Sequence, residues 1–408
     1  MTASSDSLRV AVIGARRGRT FIASSRMLTG ITLHAVCDPL PHMRQEWCNE
    51  PGIRVYDDYE AVLNDPKVDA VCIATPVPLH AGQAIAALKA GKHVLSEVTA
   101  AYTLEECHAL CQAVVESGLT YMMAENYCYM EPVLQVQQMV EEGVFGEVIH
   151  ASGSYLHDCR KLFFTPESEL TWRGRIYHDL HANPYPTHSL GPVARWLGIN
   201  RTDRFARTAS WASRSLGASH YARQHHPDRH DYAKEEFWNG IDSTSTTIAT
   251  EKGTVIDLRV DWASARPHHM TRYELQGTKA SFIWAEGAAG AEPLIWIEGR
   301  SPVNAKGEAS GWEPLFRYRD EYQHPLWREH GETAKSSGHL GSDFFVLREF
   351  ANAIREGRPP MIDVFDAVTW SSLTPLSAES LARGNAPVAV PDFTVYRHPQ
   401  GTQKNRSI

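Results

Sequence analysis

A chain of 408 residues, 43% hydrophobic and 22% charged, is long for one core and comfortable for two soluble domains. Its net charge of −8 argues against a nucleic-acid partner. No run approaches the ~20 apolar residues of a membrane span, so no membrane partner is expected.

Leu8 to Ile13 is an apolar run of strand length that ends in Gly14. A helical stretch follows, and Ile31 to Cys37 is a second apolar run, closed by Asp38. Ala70 to Ala74, His93 to Ser96 and Tyr121 to Ala124 read as further strands, the last of them the sixth. Between them His80 to Ala90 is helical. Thr103 caps another helix, with Glu105 and Glu106 in its first turn. Strands alternating with helices at this spacing predict a parallel, doubly wound sheet, a Rossmann unit complete near Asn126.

The character changes after Pro132. A helix over Val133 to Glu142 stops at Gly143, and β-type runs follow at 148–155, 244–249, 254–262, 272–276 and 281–284. Turn signals such as Lys252-Gly253 and Gly277-Thr278 separate several of them. The pattern predicts an α+β second domain built on an open, largely antiparallel sheet. Residues 216–240 and 286–325, rich in Gly, Pro, His and charge, read as long loops. Residues 343–356 and 367–383 read as helices that pack back onto the body. The expected domains are 1–127 and 128–408.

The N-terminus is short and polar, and Arg16-Arg17 lack the apolar stretch of an export signal, so no secretory leader is expected. The seven cysteines all lie between Cys37 and Cys159 without a C-x-x-C pair. That usage predicts free thiols in a reducing compartment, the cytoplasm.

The first strand-to-helix turn is Gly14-Ala15-Arg16-Arg17-Gly18. Such a turn can hold a pyrophosphate on backbone amides, although the second glycine of G-x-G-x-x-G is missing. Asp38, at the end of the second strand, is placed to bond a ribose hydroxyl. No arginine adjoins it to meet a 2′-phosphate, which favours NAD over NADP. Neither His178-Asp179-Leu180-His181 nor His225-His226 with His230 has a recognised ligand spacing, so no metal is expected.

Gly91-Lys92-His93-Val94-Leu95-Ser96-Glu97-Val98-Thr99 resembles the G-K-H-V-L-x-E-K-P segment of the Gfo/Idh/MocA oxidoreductases. Thr75-Pro76-Val77-Pro78-Leu79-His80 is similar to their T-P-x-x-x-H turn, and Asn126 stands where a cofactor-contacting Asn follows the sixth strand. The resemblance implies a cofactor set of Gly14, Arg16, Arg17, Gly18, Asp38, Thr75, His80, Glu97 and Asn126. In the dehydrogenases of that superfamily the Lys after the Glu assists proton transfer. Here the position is Val98. A nicotinamide-binding fold without its usual acid/base points to a use of NAD other than net oxidation.

Further segments resemble glycoside hydrolase family 109 over nearly the whole chain. They include Gly153-Ser154-Tyr155-Leu156-His157-Asp158, Trp172-Arg173, Asn183-Pro184-Tyr185-Pro186-Thr187-His188 and His324-Pro325-Leu326-Trp327. That family resembles a dehydrogenase but cleaves glycosides, typically α-N-acetylgalactosaminides. The resemblance implies oxidation at C3, elimination of the aglycone, water addition and re-reduction, with no opposed carboxylate pair. Carried over position by position, His188 is the candidate base for the C3 hydroxyl and Tyr155 for the C2 proton. Tyr185 and His157 assist or bind. A tyrosine with an ordinary pKa near 10 needs a cationic neighbour to act as base, and Arg173 and Arg175 are the suppliers considered.

Two departures leave the sugar open. The family's G-H-G-G reads Gly338-His339-Leu340-Gly341, and a Tyr expected after Arg-Pro is His268. The segment between Tyr155 and Tyr185 is dense in Arg160, Lys161, Arg173, Arg175, His178 and His181. It reads as a solvated face or as a pocket for an anionic sugar, where Arg forks suit sulfonate or carboxylate oxygens. Trp172, Arg173, Arg175 and His268 are the candidate substrate contacts. NAD-dependent sulfoquinovosidases, a related group with the same mechanism, are the anionic alternative. A sugar or inositol dehydrogenase and a non-enzymatic NAD sensor are the competing functions. By analogy with the superfamily, the exposed sheet face implies a homo-oligomer.

Overall fold

The computed structural model describes residues 7–267, 269–286 and 292–397, and the chain divides into two compact units. The first takes residues 7–124, Glu349–Thr369 and 391–397. The second takes Glu125–Arg348 and Trp370–Val390.

The first unit is built on six strands: β1 (Leu8–Ile13), β2 (Ile31–Cys37), β3 (Arg54–Tyr56), β4 (Ala70–Ile73), β5 (His93–Ser96) and β6 (Tyr121–Met123). They form one parallel sheet in the order β3-β2-β1-β4-β5-β6, the doubly wound arrangement expected. The central strand β4 is apolar throughout because helices cover both faces, and all four of its side chains are buried. Only β3, three residues with a Tyr and an Arg, was invisible as an apolar run. Thr103 caps the helix Leu104–Ser117 in a full capping box with Glu106, and Gly118 ends it at φ 65°.

Among the described residues of the second unit, nine strands form a mixed sheet. They are β7 (Val148–His157), β8 (Phe205–Ala212), β9 (Ser243–Thr250), β10 (Val255–Asp261), β11 (His269–Gly277), β12 (Ala280–Glu286), β13 (Leu294–Ile297), β14 (Glu313–Pro314) and β15 (Val388–Ala389). The order is β14-β13-β12-β11-β7-β10-β9-β8-β15, and of these pairings β7 with β10 alone is parallel. Side chains alternate in the sense of a sheet covered on one face. Ile256, Leu258 and Val260 are buried, while Val255, Asp257 and Arg259 are exposed. The helix Thr187–Trp196 lies on the covered face against β7, β10 and β11. Gly153 permits this, since a Cβ there would sit 1.9 Å from the Ser189 carbonyl oxygen.

Two loop expectations change. Residues 216–240 contain a helix, Gly217–His225. Its start is fixed from a distance, because the Asp242 carboxylate accepts the amides of Leu216 and Gly217, both at 2.9 Å. Residues 286–325 contribute β13 and β14, which are strands because β12 offers an edge to pair with. The single helix expected at 367–383 is two, Val364–Ser371 and Leu373–Ala382, parted at Ser372. All seven cysteines are free thiols, and only Cys48 is exposed. Among the described residues no helix is long and apolar enough to cross a membrane.

Candidate active site

In the first unit the turn after β1 needs glycine at its first position. Gly14 has φ 93°, and a Cβ there would lie 2.6 Å from the carbonyl oxygen of Ala74. The helix Ala15–Met27 begins at once, with its amino end at the turn, a ready anion site. Asp38 is buried, with one carboxylate oxygen 2.9 Å from the Ala15 amide and the other 3.0 Å from the Leu40 amide. It therefore fixes the turn while keeping acceptor capacity for a hydroxyl. Arg44, six residues on, donates to the carbonyls of Asp38 and Pro39 at 2.6 and 2.8 Å.

Several signature side chains of this unit brace backbone. The ring nitrogens of His80 stand 2.8 Å from the carbonyls of Thr99 and Thr75. Both partners are acceptors and a neutral ring has one N–H, yet burial still pushes the His80 pKa below its ordinary value against those carbonyls. Thr75 Oγ1 donates to Gln83 at 2.6 Å. Lys92 Nζ donates to the carbonyls of Asp65 and Val68 at 2.9 and 2.8 Å. Glu97 lies 2.7 Å from Arg17 Nε, and Arg16 is exposed. Val98 is buried, and the Val98–Thr99 peptide is cis.

The second unit gathers rings. Tyr155, near the end of β7, is 7% exposed; its ring centroid lies 4.9 Å from His188 and 5.7 Å from Tyr185. Tyr155 Oη is 2.8 Å from His157 Nδ1, and the Cys159 thiol is 3.2 Å from the same nitrogen. The i, i+2 spacing along a strand puts Tyr155 and His157 on one face. His188 stands in the first turn of Thr187–Trp196, and Asn183 anchors the preceding loop through its amide to Ser377 at 2.7 Å. The structure thus brings together all four expected catalytic side chains.

Sequence reasoning missed two residues. His188 Nδ1 donates to Glu125 Oε1 at 2.7 Å, and Glu125 is fully buried. That contact orients the ring and turns Nε2 toward the remaining work. Tyr127 stacks on His188 at 4.1 Å with planes 12° apart. The one available signal was the Ala124-Glu125-Asn126-Tyr127 segment after β6, where an acid follows a buried strand. Gly191 lets the His188 helix close on it, since a Cβ there would lie 2.8 Å from Glu125 Cγ.

Asn126 Nδ2 donates to Asp343 at 2.8 Å, and Asp343 also accepts from His339 Nδ1 at 2.7 Å. Asn126 Oδ1 is buried without a hydrogen-bond partner among the described residues.

The arginines divide. Arg173 is half-buried and stacks 4.1 Å over Trp172, and its charge reaches Tyr155 and Cys159. It has no ion pair or hydrogen bond to another described residue. Arg175, two positions along the same helix and so on another side, is exposed. Arg160 is engaged bidentately by Asp158 at 2.8 and 2.7 Å. His268 lies outside the described residues. Burial dominates Tyr155 and pushes its phenol well above the ordinary value; Tyr127, Cys159 and Tyr185 add to this, and Arg173 opposes it. Arg173 alone does not make a tyrosinate.

Two family models match the chain. One, described as the NAD-binding Rossmann fold of an oxidoreductase family, covers residues 8–125. The other, glycosyl hydrolase 109, C-terminal domain, covers 129–399. A glycosyl hydrolase family 109 protein of Stenotrophomonas maltophilia is 34% identical over 418 residues, covering 95% of this chain and 89% of the relative. One of Solibacter usitatus is 35% identical over 401 residues, covering 95% and 88%. Among solved structures, levoglucosan dehydrogenase with NADH and levoglucosan superposes with a TM-score of 0.74 at 21% identity, over 95% of this chain and all of the other. An NAD-binding oxidoreductase of Klebsiella pneumoniae gives 0.74 at 18% identity, over 95% and 100%. These structures share the fold.

Proposed function

The chain belongs to glycosyl hydrolase family 109 and binds NAD through its Rossmann unit, and from that premise we propose a redox-neutral glycosidase. The observation that supports this reading is that the second unit holds two hydrogen-bonded side-chain pairs, Glu125–His188 and Tyr155–His157, each with the chemistry to carry a proton. Oxidising a sugar hydroxyl needs one base. A second base beside it has work only if a further proton, the one on C2, must also leave.

The Gly14 turn and Asp38 would hold the pyrophosphate and ribose, with Thr75 and Glu97 toward the nicotinamide end. Bound NAD supplies the sink and source for the C3 hydride. His188, with Nδ1 donated to Glu125, takes the C3 hydroxyl proton at Nε2. A ketone at C3 acidifies C2–H, and Tyr155 removes that proton as the aglycone leaves C1. Water adds at C1 and the steps reverse at C2 and C3. Tyr185, 9% exposed and packed 5.3 Å from His188, positions the sugar.

Arg173 favours an anionic glycoside, such as a sulfoquinovoside, over a neutral α-N-acetylgalactosaminide. A half-buried guanidinium without an internal anion is suited to one brought by the substrate. The outer sheet face, with Trp211 51% exposed, supports self-association, which light scattering would read.

The test follows nitrophenolate and NADH together on nitrophenyl glycosides of sulfoquinovose and α-N-acetylgalactosamine. Nitrophenolate release without NADH accumulation is expected. NADH building up on free sugars or inositols, with both glycosides intact, would instead establish a dehydrogenase.

A further inference from the structure

The second unit contains another histidine–carboxylate pair, apart from Glu125–His188. His339 Nδ1 donates to Asp343 Oδ2 at 2.7 Å, and the other carboxylate oxygen accepts Asn126 Nδ2 at 2.8 Å. Asp343 and Asn126 are buried, whereas the His339 side chain is 38% exposed. With Nδ1 committed to the carboxylate, the ring presents Nε2, which bonds to no other described residue. Tyr127 joins this pair to the other rings: it stacks on His188 at 4.1 Å, and its centroid is 6.3 Å from that of His339.

The turn that carries His339 is braced on every side. His339 and Leu340 take left-handed backbone, φ 49° and 57°, which non-glycine residues adopt only where the surroundings enforce it. The His339 carbonyl accepts Ser342 Oγ at 2.7 Å, and Ser337 Oγ accepts the Phe344 amide at 3.2 Å. Gly338 leaves room for the carboxylate, since a Cβ there would collide with Asp343 Oδ2. Gly341 lies against Trp327, whose Nε1 donates to the Tyr129 carbonyl at 2.8 Å. Asp343 stands in the first turn of the helix Ser342–Glu356, where the amino end favours a carboxylate. A surface ion pair needs none of this support. A ring that must meet a fixed atom does.

We infer that His339 is the acid and base at C1. The inference rests on the glycosidase reading above, which gives the C3 hydroxyl proton to His188 and the C2 proton to Tyr155. That cycle leaves the departing aglycone oxygen and the incoming water without a proton partner. C1 is two carbons from C3 on the same sugar ring, so its partner must stand near His188 and be distinct from it. As the C2–H bond breaks, its electron pair forms C1=C2, and the C1–O pair leaves with the aglycone. The aglycone oxygen takes its proton from His339 Nε2. The neutral ring then removes a proton from the water whose oxygen bonds to C1, while C2 regains its proton from Tyr155. His339 ends protonated as it began, and Asp343 holds its orientation through both states.

The test follows aglycone release by the full-length, NAD-loaded enzyme from dinitrophenyl, nitrophenyl, phenyl and methyl glycosides of sulfoquinovose and of α-N-acetylgalactosamine. On the productive sugar, wild-type kcat/KM should change little along the series, because the acid offsets a more basic aglycone. His339→Gln and His339→Asn should lower it about 10²-fold for the methyl glycoside and less than about threefold for the dinitrophenyl one, which leaves without a proton. Tm and NAD affinity should match the wild type. A loss equal across all aglycones, or no loss on the methyl glycoside, would overturn the role at C1. A wild type whose rate already falls steeply with aglycone basicity would overturn it without any variant. A wild type that releases no aglycone from either sugar would overturn the glycosidase reading, and the role of His339 with it.

Discussion

The two units use their signature side chains differently. In the first, His80, Thr75, Lys92 and Asp38 bond to backbone or to a neighbouring amide, and Asp38 fixes the turn after β1. In the second, Tyr155 pairs with His157 and His188 with Glu125, side chain to side chain. The motif side chains of the first unit brace its backbone, and those of the second pair with one another. Val98 fits that division. On the proposed reading, the first unit lacks the lysine that would make it a reacting partner, and the proton work falls to the second.

If the division is right, damage in the second unit removes rate and leaves stability and NAD binding in place. Tyr155→Phe should lower kcat about 10³-fold with unchanged NAD affinity by fluorescence titration. Glu125→Gln leaves His188 Nδ1 without its carboxylate and should lower kcat about 10²-fold, read as hydroxyl-proton transfer by a C3-deuterium effect. Arg173→Met should raise KM for an anionic glycoside about 10-fold and leave a neutral one within about twofold, whereas Arg175→Met should move neither. Equal losses for both arginines would erase the distinction between a reader and a surface charge.

Damage in the first unit should appear as stability. The folded-state pKa of His80 is lowered by burial, so the unfolded chain takes up the proton first as pH drops. The stability from the neutral ring is complete above about pH 6.5 and is lost as pH falls through the lowered folded value. Calorimetric Tm between pH 8 and 5 should decline more steeply in the wild type than in His80→Gln. The smallest effect belongs to Leu340, 57% exposed at φ 57° where the related family has glycine. A left-handed leucine costs on the order of 1 kcal/mol, so Leu340→Gly should raise Tm by about 2 °C.

The architecture was legible because apolar runs of strand length alternate with helical ones, and β3 escaped because it is short and half polar. The helix at Gly217–His225 escaped because its cap, Asp242, is distant in sequence. Tyr155, Tyr185 and His188 were legible through motifs. Glu125 was not, since an acid after a strand looks the same whether it faces water or a histidine. Only the packing allowed by Gly153 and Gly191 makes it a partner. Arg173 and Arg175 were equivalent as letters, and helix phase separates them.

The central claim is that C2–H breaks and re-forms during hydrolysis while C3 is returned to its starting state. The direct measurement is proton NMR of the sugar released in D2O by the NAD-loaded enzyme. The account predicts deuterium at C2, none at C3, and no accumulated NADH. A released sugar free of deuterium at C2, or a 3-keto sugar formed with stoichiometric NADH, would contradict it.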